Sequence, residues 1–170
     1  MFKVKILILY IPFSERTKLL AEFIAKNLKS HKVNTEQLKY SKKARELFKE
    51  KDLIKKGDLS GINYNKNVED LGNYDLVFFG TPNHGGQPSI IFDGFMERAQ
   101  YVAGKKFILF ATARLTTGKI FSKMKSIIEK KGGKIIGQKL LKSLQKIKTS
   151  KVIKFTKEIN QELMEFNLFQ

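Results

Sequence analysis

Three stretches of the chain combine hydroxyl, glycine and cationic residues in a way that suits an anionic, flat ligand. Ser14 and Thr17, with Arg16 between them, open a helical pattern. At a helix start, unpaired N–H groups and the positive end of the dipole favour a phosphate. The two hydroxyls add donors, and Arg16 can add a charge-assisted pair. A serine in that place is also an ordinary helix N-cap. The second stretch is Thr81-Pro82-Asn83-His84-Gly85-Gly86-Gln87-Pro88. Its glycine pair lets backbone approach a flat ligand closely, while Pro82 and Pro88 fix where the loop enters and leaves. The third is Thr112-Ala113-Arg114-Leu115-Thr116-Thr117-Gly118, where Arg114 is the one arginine.

Other chemistry is scarce. Cysteine is absent, which excludes disulfides, thiolate metal sites and cysteine nucleophiles. The two histidines, His31 and His84, are too few for a histidine-rich metal centre. His84 lies in the second stretch, where an imidazole could tune a bound ring or touch a substrate; His31 reads as a polar residue after a helix. No Ser/His/Asp arrangement emerges, so no catalytic residue is assigned.

Hydrophobic patterning supplies the elements that must hold these stretches. Val4 to Tyr10 is a continuous apolar run, as expected of a strand buried on both faces. A helix from Glu15 to about Lys29 follows, with Leu20, Ile24 and Leu28 inward and Leu19 and Phe23 beside them. Val33 to Tyr40 reads as a second, polar strand. Ser41 to Lys56 reads as one charged helix with Ala44, Leu47 and Phe48 inward, and Gly57 to Asn73 as mostly loop. Tyr74 to Gly80 is a third, buried strand, and Ile90, Ile91, Phe95 and Met96 mark the helix after it. A strand at Lys106–Ala113, a helix at Lys119–Lys131 and a strand at Lys134–Leu141 come next. Val152, Phe155, Ile159, Leu163 and Phe166 form the stripe of a last helix. Five β-α units predict a three-layer α/β sandwich around a five-stranded parallel sheet, and their number fits the doubly wound order 2-1-3-4-5. The length of 170 residues and the lack of a linker predict one domain over 1–170.

In such a sheet the loops after the first, third and fourth strands meet in one crevice. Here those are the three stretches above. At this point the chain resembles the flavodoxin family and, more loosely, the flavin-dependent quinone reductases of the same fold. Ile6–Tyr10 followed by Ser14–Ala21, and Tyr74–Gly80 followed by Thr81-Pro82 and the glycine loop, carry the resemblance, which spans about Val4 to Leu141. It implies that FMN binds, with its phosphate on Ser14, Glu15, Arg16 and Thr17. It further implies that the ring lies between the second and third loops, at Thr81, Pro82, Asn83, His84, Gly85 and Gly86 and at Thr112, Ala113 and Arg114. Two residues depart from the family's phosphate loop: Pro12 removes an N–H donor, and Glu15 stands where a glycine is usual.

The resemblance implies electron transfer between proteins or flavin-dependent reduction of a quinone-like acceptor. The alternative is a flavin-free binding module of the same fold that uses its basic half to contact nucleic acid or an acidic protein. The net charge of +17 frames the choice of partner. Residues 105–157 carry 16 bases and one acid, against 17 and 12 over residues 1–104, so the excess sits in the second half. An electron-transfer partner should therefore be acidic and its binding salt-sensitive. Of the 33 bases, 29 are lysine, whereas specific base readout favours arginine, so no specific nucleic-acid complex is expected. The longest apolar run, Ile6 to Phe13, is shorter than the ~20 residues that cross a bilayer. No signal peptide is read, and a cytoplasmic location is expected. The sequence leaves the oligomeric state open.

Overall fold

The computed structural model describes residues 3–113, 118–142 and 149–167. Seven strands and six α-helices alternate along them: β1 (Lys5–Tyr10), α1 (Glu15–Asn27), β2 (Lys32–Gln37), β3 (Lys39–Tyr40), α2 (Ala44–Lys49), α3 (Lys51–Lys55), β4 (Ile62–Asn63), β5 (Leu76–Pro82), α4 (Ile90–Arg98), β6 (Lys106–Ala113), α5 (Ile120–Lys130), β7 (Lys134–Lys142) and α6 (Thr149–Asn167). Five of the strands form one parallel sheet in the order β2-β1-β5-β6-β7, which is 2-1-3-4-5 when only its own members are counted. The expected sandwich is thus present.

Side-chain alternation divides the core into two layers. Ile6, Ile8, Tyr10, Phe78, Ile108 and Phe110 face α1 and α6, where they meet Leu20, Ile24, Phe155 and Ile159. Leu7, Leu9, Val77, Phe79, Phe107 and Leu109 face the other way, onto Leu47, Ile54, Phe92, Phe95, Met124 and Ile128 of α2 to α5. Each such Leu, Ile or Phe contributes about 1.5–3 kcal/mol by leaving water. Because β1, β5 and β6 are interior strands covered on both sides, they read as unbroken apolar runs. Two interior glycines are sterically required. A Cβ on Gly80 would sit 2.0 Å from the Phe110 ring, and one on Gly94 would sit 2.2 Å from the Ile54 carbonyl oxygen.

Several expected elements take a different form. The second strand ends at Gln37, and Lys39–Tyr40 pairs antiparallel with β4 in a separate two-stranded sheet. Between them Leu38 is fully buried and its N–H donates to the Tyr10 carbonyl, so the chain turns out of the main sheet there. The stretch 41–56 is two short helices and not one. Leu47 and Ile54 face the core, while Phe48 is 72% exposed and Ala44 is also exposed. Leu19 lies on the outer side of α1 at 53% exposure. In the last helix Phe155 and Ile159 are buried as expected. The placements expected for Val152, Leu163 and Phe166 concern side chains outside the described residues. The pairing of β6 with β7 skips one residue: Phe107 is opposite Ile135 and Ile108 opposite Gly137, leaving Ile136 on a bulge. Among the described residues no helix is long and apolar enough to cross a membrane.

Candidate functional site

The loops that follow β1, β5 and β6 all leave the same edge of the sheet. The first is short because Phe13 N–H closes back on the Ile11 carbonyl at 3.0 Å, and Ile11 N–H is held by the Gly80 carbonyl at 3.0 Å. Ser14 then occupies the N-cap position of α1 with extended backbone, yet its side chain makes no cap hydrogen bond. Its hydroxyl lies 3.3 Å from that of Thr17. The first-turn N–H groups of α1 have no intrahelical acceptor by construction, so this helix end carries donors and two hydroxyls together. Glu15 is exposed and Arg16 half-buried.

Thr112 ties the three loops to one another. Its hydroxyl lies 2.9 Å from that of Thr17, in a buried pair. Its carbonyl accepts from Asn83 N–H at 3.0 Å. Sequence reasoning named Thr17 and Thr112 as separate candidates; no sequence signal shows that they bond to each other.

The second loop is a tight hairpin. His84 and Gln87 exchange both backbone hydrogen bonds, at 3.0 and 3.1 Å, across Gly85 and Gly86. Both glycines have positive φ, +59° and +83°, as a two-residue turn of this hand requires. Asn83 Oδ1 accepts from Gly86 N–H at 2.7 Å and pins the turn. Thr81 and Pro82 are buried at the end of β5. The Thr81 hydroxyl donates to the Pro82 carbonyl and accepts from Ser89 N–H, both at 3.1 Å, which fixes the path into α4.

Two further contacts close the rim. Phe13 and His84 meet edge to face, with ring centres 5.4 Å apart. Partial burial lowers the His84 pKa and so favours the neutral imidazole. Gly86 packs backbone to backbone on Gly118, where a Cβ on Gly118 would lie 2.1 Å from the Gly86 Cα. This contact closes the space between the second and third loops at that point. The Cβ direction of Gly85, by contrast, meets nothing within 4 Å. Tyr10 is no part of the rim: it is 5% exposed, and burial is the chief cause of its raised pKa. Ala113 is buried at the end of β6, and Arg114 lies outside the described residues.

The donor set therefore suits a phosphate at the start of α1. The part-buried Ser14 hydroxyl and the N–H groups of the first turn stand there, while the Thr17 hydroxyl is buried against Thr112, and Glu15 is exposed. Phe13, His84 and Gly85 are exposed side by side at this rim.

No protein-family model matches the chain, and no curated protein matches it in sequence. Solved structures do. A flavoprotein from Lactobacillus acidophilus, determined in complex with FMN, superposes with a TM-score of 0.56 at 23% identity, over 81% of this chain and 93% of that one. A flavodoxin from the domain Archaea gives 0.60 at 16% identity, covering 94% and 99%. The two-electron reduced flavodoxin of Megasphaera elsdenii gives 0.52 at 16% identity, covering 89% and 97%. Together with the sheet order and the crevice at its carboxyl edge, these likenesses establish that the chain has the flavodoxin-like fold.

Proposed function

We propose that the chain binds FMN in the crevice and serves in electron transfer. The observation that carries this reading is the start of α1. Ser14 stands at the N-cap without a side-chain bond to the helix N–H groups, and the Thr17 hydroxyl, itself paired with Thr112, lies 3.3 Å from its own. That arrangement is what a phosphate monoester needs, on a fold whose solved examples include an FMN complex. Ser14, Thr17 and the first-turn N–H groups would hold the phosphate, with Arg16 adding positive charge. Phe13, His84 and Gly85 would stand at the ring, and Asn83 would keep the hairpin in place. When bound, FMN supplies the electron chemistry. The protein's part is to orient it, restrict water and present one edge to a partner.

The surplus of positive charge in the second half favours an acidic partner protein over a neutral quinone. Its lysines are divided, since α5 and α6 cover opposite faces of the sheet. This spreads the field and disfavours a single nucleic-acid face.

Titrating the purified chain into FMN tests the reading. Saturable quenching of flavin fluorescence at micromolar protein, with riboflavin binding much more weakly, is the expected result. Equal affinity for FMN and riboflavin would remove the phosphate seat from the account. Absence of quenching for both would favour the flavin-free module, which the Gly86–Gly118 closure and Pro12 would then explain.

A further inference from the structure

Three hydroxyls stand in series behind the start of α1. Ser14 Oγ lies 3.3 Å from Thr17 Oγ1, and Thr17 Oγ1 lies 2.9 Å from Thr112 Oγ1. Ser14 is the half-buried end of the row, whereas Thr17 and Thr112 are 0% and 7% exposed. Among the described residues the hydroxyls of Ser14 and Thr112 have no other hydrogen-bond partner. The inner end is placed by the sheet. Thr112 stands in register between Pro82 of β5 and Leu141 of β7, and its carbonyl accepts from Asn83 N–H at 3.0 Å.

A hydroxyl brings one proton and can donate and accept at once. Three of them joined by two hydrogen bonds use two protons, so the third is left at one end of the row. Left on Thr112 and turned away from Thr17, it would be a buried donor without an acceptor, which carries the full desolvation penalty of that group. With the opposite polarity Thr112 donates to Thr17, Thr17 donates to Ser14, and the spare proton stands on Ser14 at the open end. Burial at one end thus sets the direction of every proton in the row. An ionised phosphate oxygen can only accept, so this polarity alone serves it. Bonds in series also polarise one another, which strengthens the outermost donor.

We propose that Thr112 is a positioning residue that acts through Thr17 to turn the Ser14 O–H outward, onto the phosphate of FMN. This role rests on the FMN reading above. It assigns to the end of β6 a share in phosphate affinity, although Thr112 itself is buried behind Thr17 and touches no ligand.

The test compares FMN and riboflavin affinities, by fluorescence quenching, for the parent chain, Ser14→Ala, Thr112→Val, Thr112→Ser and the double variant Ser14→Ala/Thr112→Val. Riboflavin lacks the phosphate, so its affinity reports the ring seat and the fold alone. Thr112→Val should weaken FMN binding roughly fivefold and leave riboflavin binding unchanged. Thr112→Ser keeps the hydroxyl and should recover most of that loss. In the double variant Thr112→Val should add nothing to the effect of Ser14→Ala, because both act through the same proton. Equal weakening of both flavins by Thr112→Val would show a merely structural role and overturn the assignment. So would an unchanged FMN affinity, or losses that add in full. Those three outcomes leave the FMN reading standing, since the parent's preference for FMN carries it. A parent that binds both flavins equally, or neither, overturns the phosphate seat and the role of Thr112 together.

Discussion

The hydroxyls of Thr17 and Thr112 lie 2.9 Å apart inside the protein, although 95 residues separate them in the chain. Thr17 has a second neighbour in Ser14 at 3.3 Å, whereas the only hydroxyl partner found for Thr112 among the described residues is Thr17. Loss of one partner therefore has unequal consequences. Thr17→Val leaves a buried hydroxyl alone and should destabilise by about 1–3 kcal/mol. Thr112→Val leaves Thr17 with Ser14 and should cost less. The double variant should cost less than the sum, because no orphan remains. Urea denaturation of the four proteins measures this cycle, and strict additivity would show that the bond contributes nothing.

Gly80 and Gly94 should respond differently to the same substitution. Gly80→Ala forces a methyl against the buried Phe110 ring and should cost about 3 kcal/mol. Adding Phe110→Leu should restore part of that loss, since a side chain is what obstructs. Gly94→Ala meets the Ile54 backbone oxygen, so no neighbouring side-chain change should restore it. Denaturation midpoints of the single and double variants distinguish the two.

Glu69 gives a pH dependence of definite sign. Arg98 Nε donates to its carboxylate at 2.7 Å, and the Tyr64 hydroxyl donates to the same oxygen. Burial pushes the Glu69 pKa up, but these hydrogen bonds and the nearby cations outweigh it, so the folded value lies below the ordinary one. The unfolded chain takes up the proton first as pH falls. The contribution is therefore complete above the ordinary glutamate range and disappears as pH drops through the folded value. Glu69→Gln should cost about 1–2 kcal/mol at neutral pH. The gap from the parent protein should narrow below pH ~4. A gap independent of pH would show that charge plays no part.

For His84 the linkage rests on burial. Its folded pKa is depressed, so the unfolded chain protonates first, and charging this residue subtracts stability as pH falls below about 6.5. Phe13→Ala removes the covering ring and should bring the His84 pKa back up towards its ordinary value. The Cε1 proton of His84 reads this directly by NMR. An unchanged titration midpoint would show that Phe13 does not cover the imidazole.

Interior strands were the most legible part of the fold, because burial on both faces leaves an unbroken apolar run in β1, β5 and β6. The strand β2 was harder to bound: it lies at an edge and is mostly exposed. The departure of the chain at Leu38 depends on a backbone bond to Tyr10, for which a sequence has no symbol. Phe48 was expected inward with Leu47, yet successive helical residues point about 100° apart, and here Leu47 takes the core side while Phe48 is 72% exposed. Within the site, residue types identified the loops, and Ser14 could be placed at the helix start. Its lack of a cap bond, the Thr17–Thr112 pair and the Gly86–Gly118 closure are contacts between distant segments. They follow from the folded arrangement of the loops, not from local spacing.

The bulge at Ile136 has a bearing on how copies of this chain behave when crowded together. A parallel sheet has two outer strands, and each is a template for a stranger's backbone. At one margin, the skipped residue bends β7 and breaks the even spacing that an incoming strand must match. Lys134 and Lys139 on the same strand add repulsion between identical copies. At the other margin, β2 offers Lys32, Asn34 and Gln37 to solvent, so docking there would strip water from polar groups for little apolar gain. Fibre-like growth by sheet extension is thereby obstructed at both margins, even though the interior strands between them are as apolar as those that form such fibres.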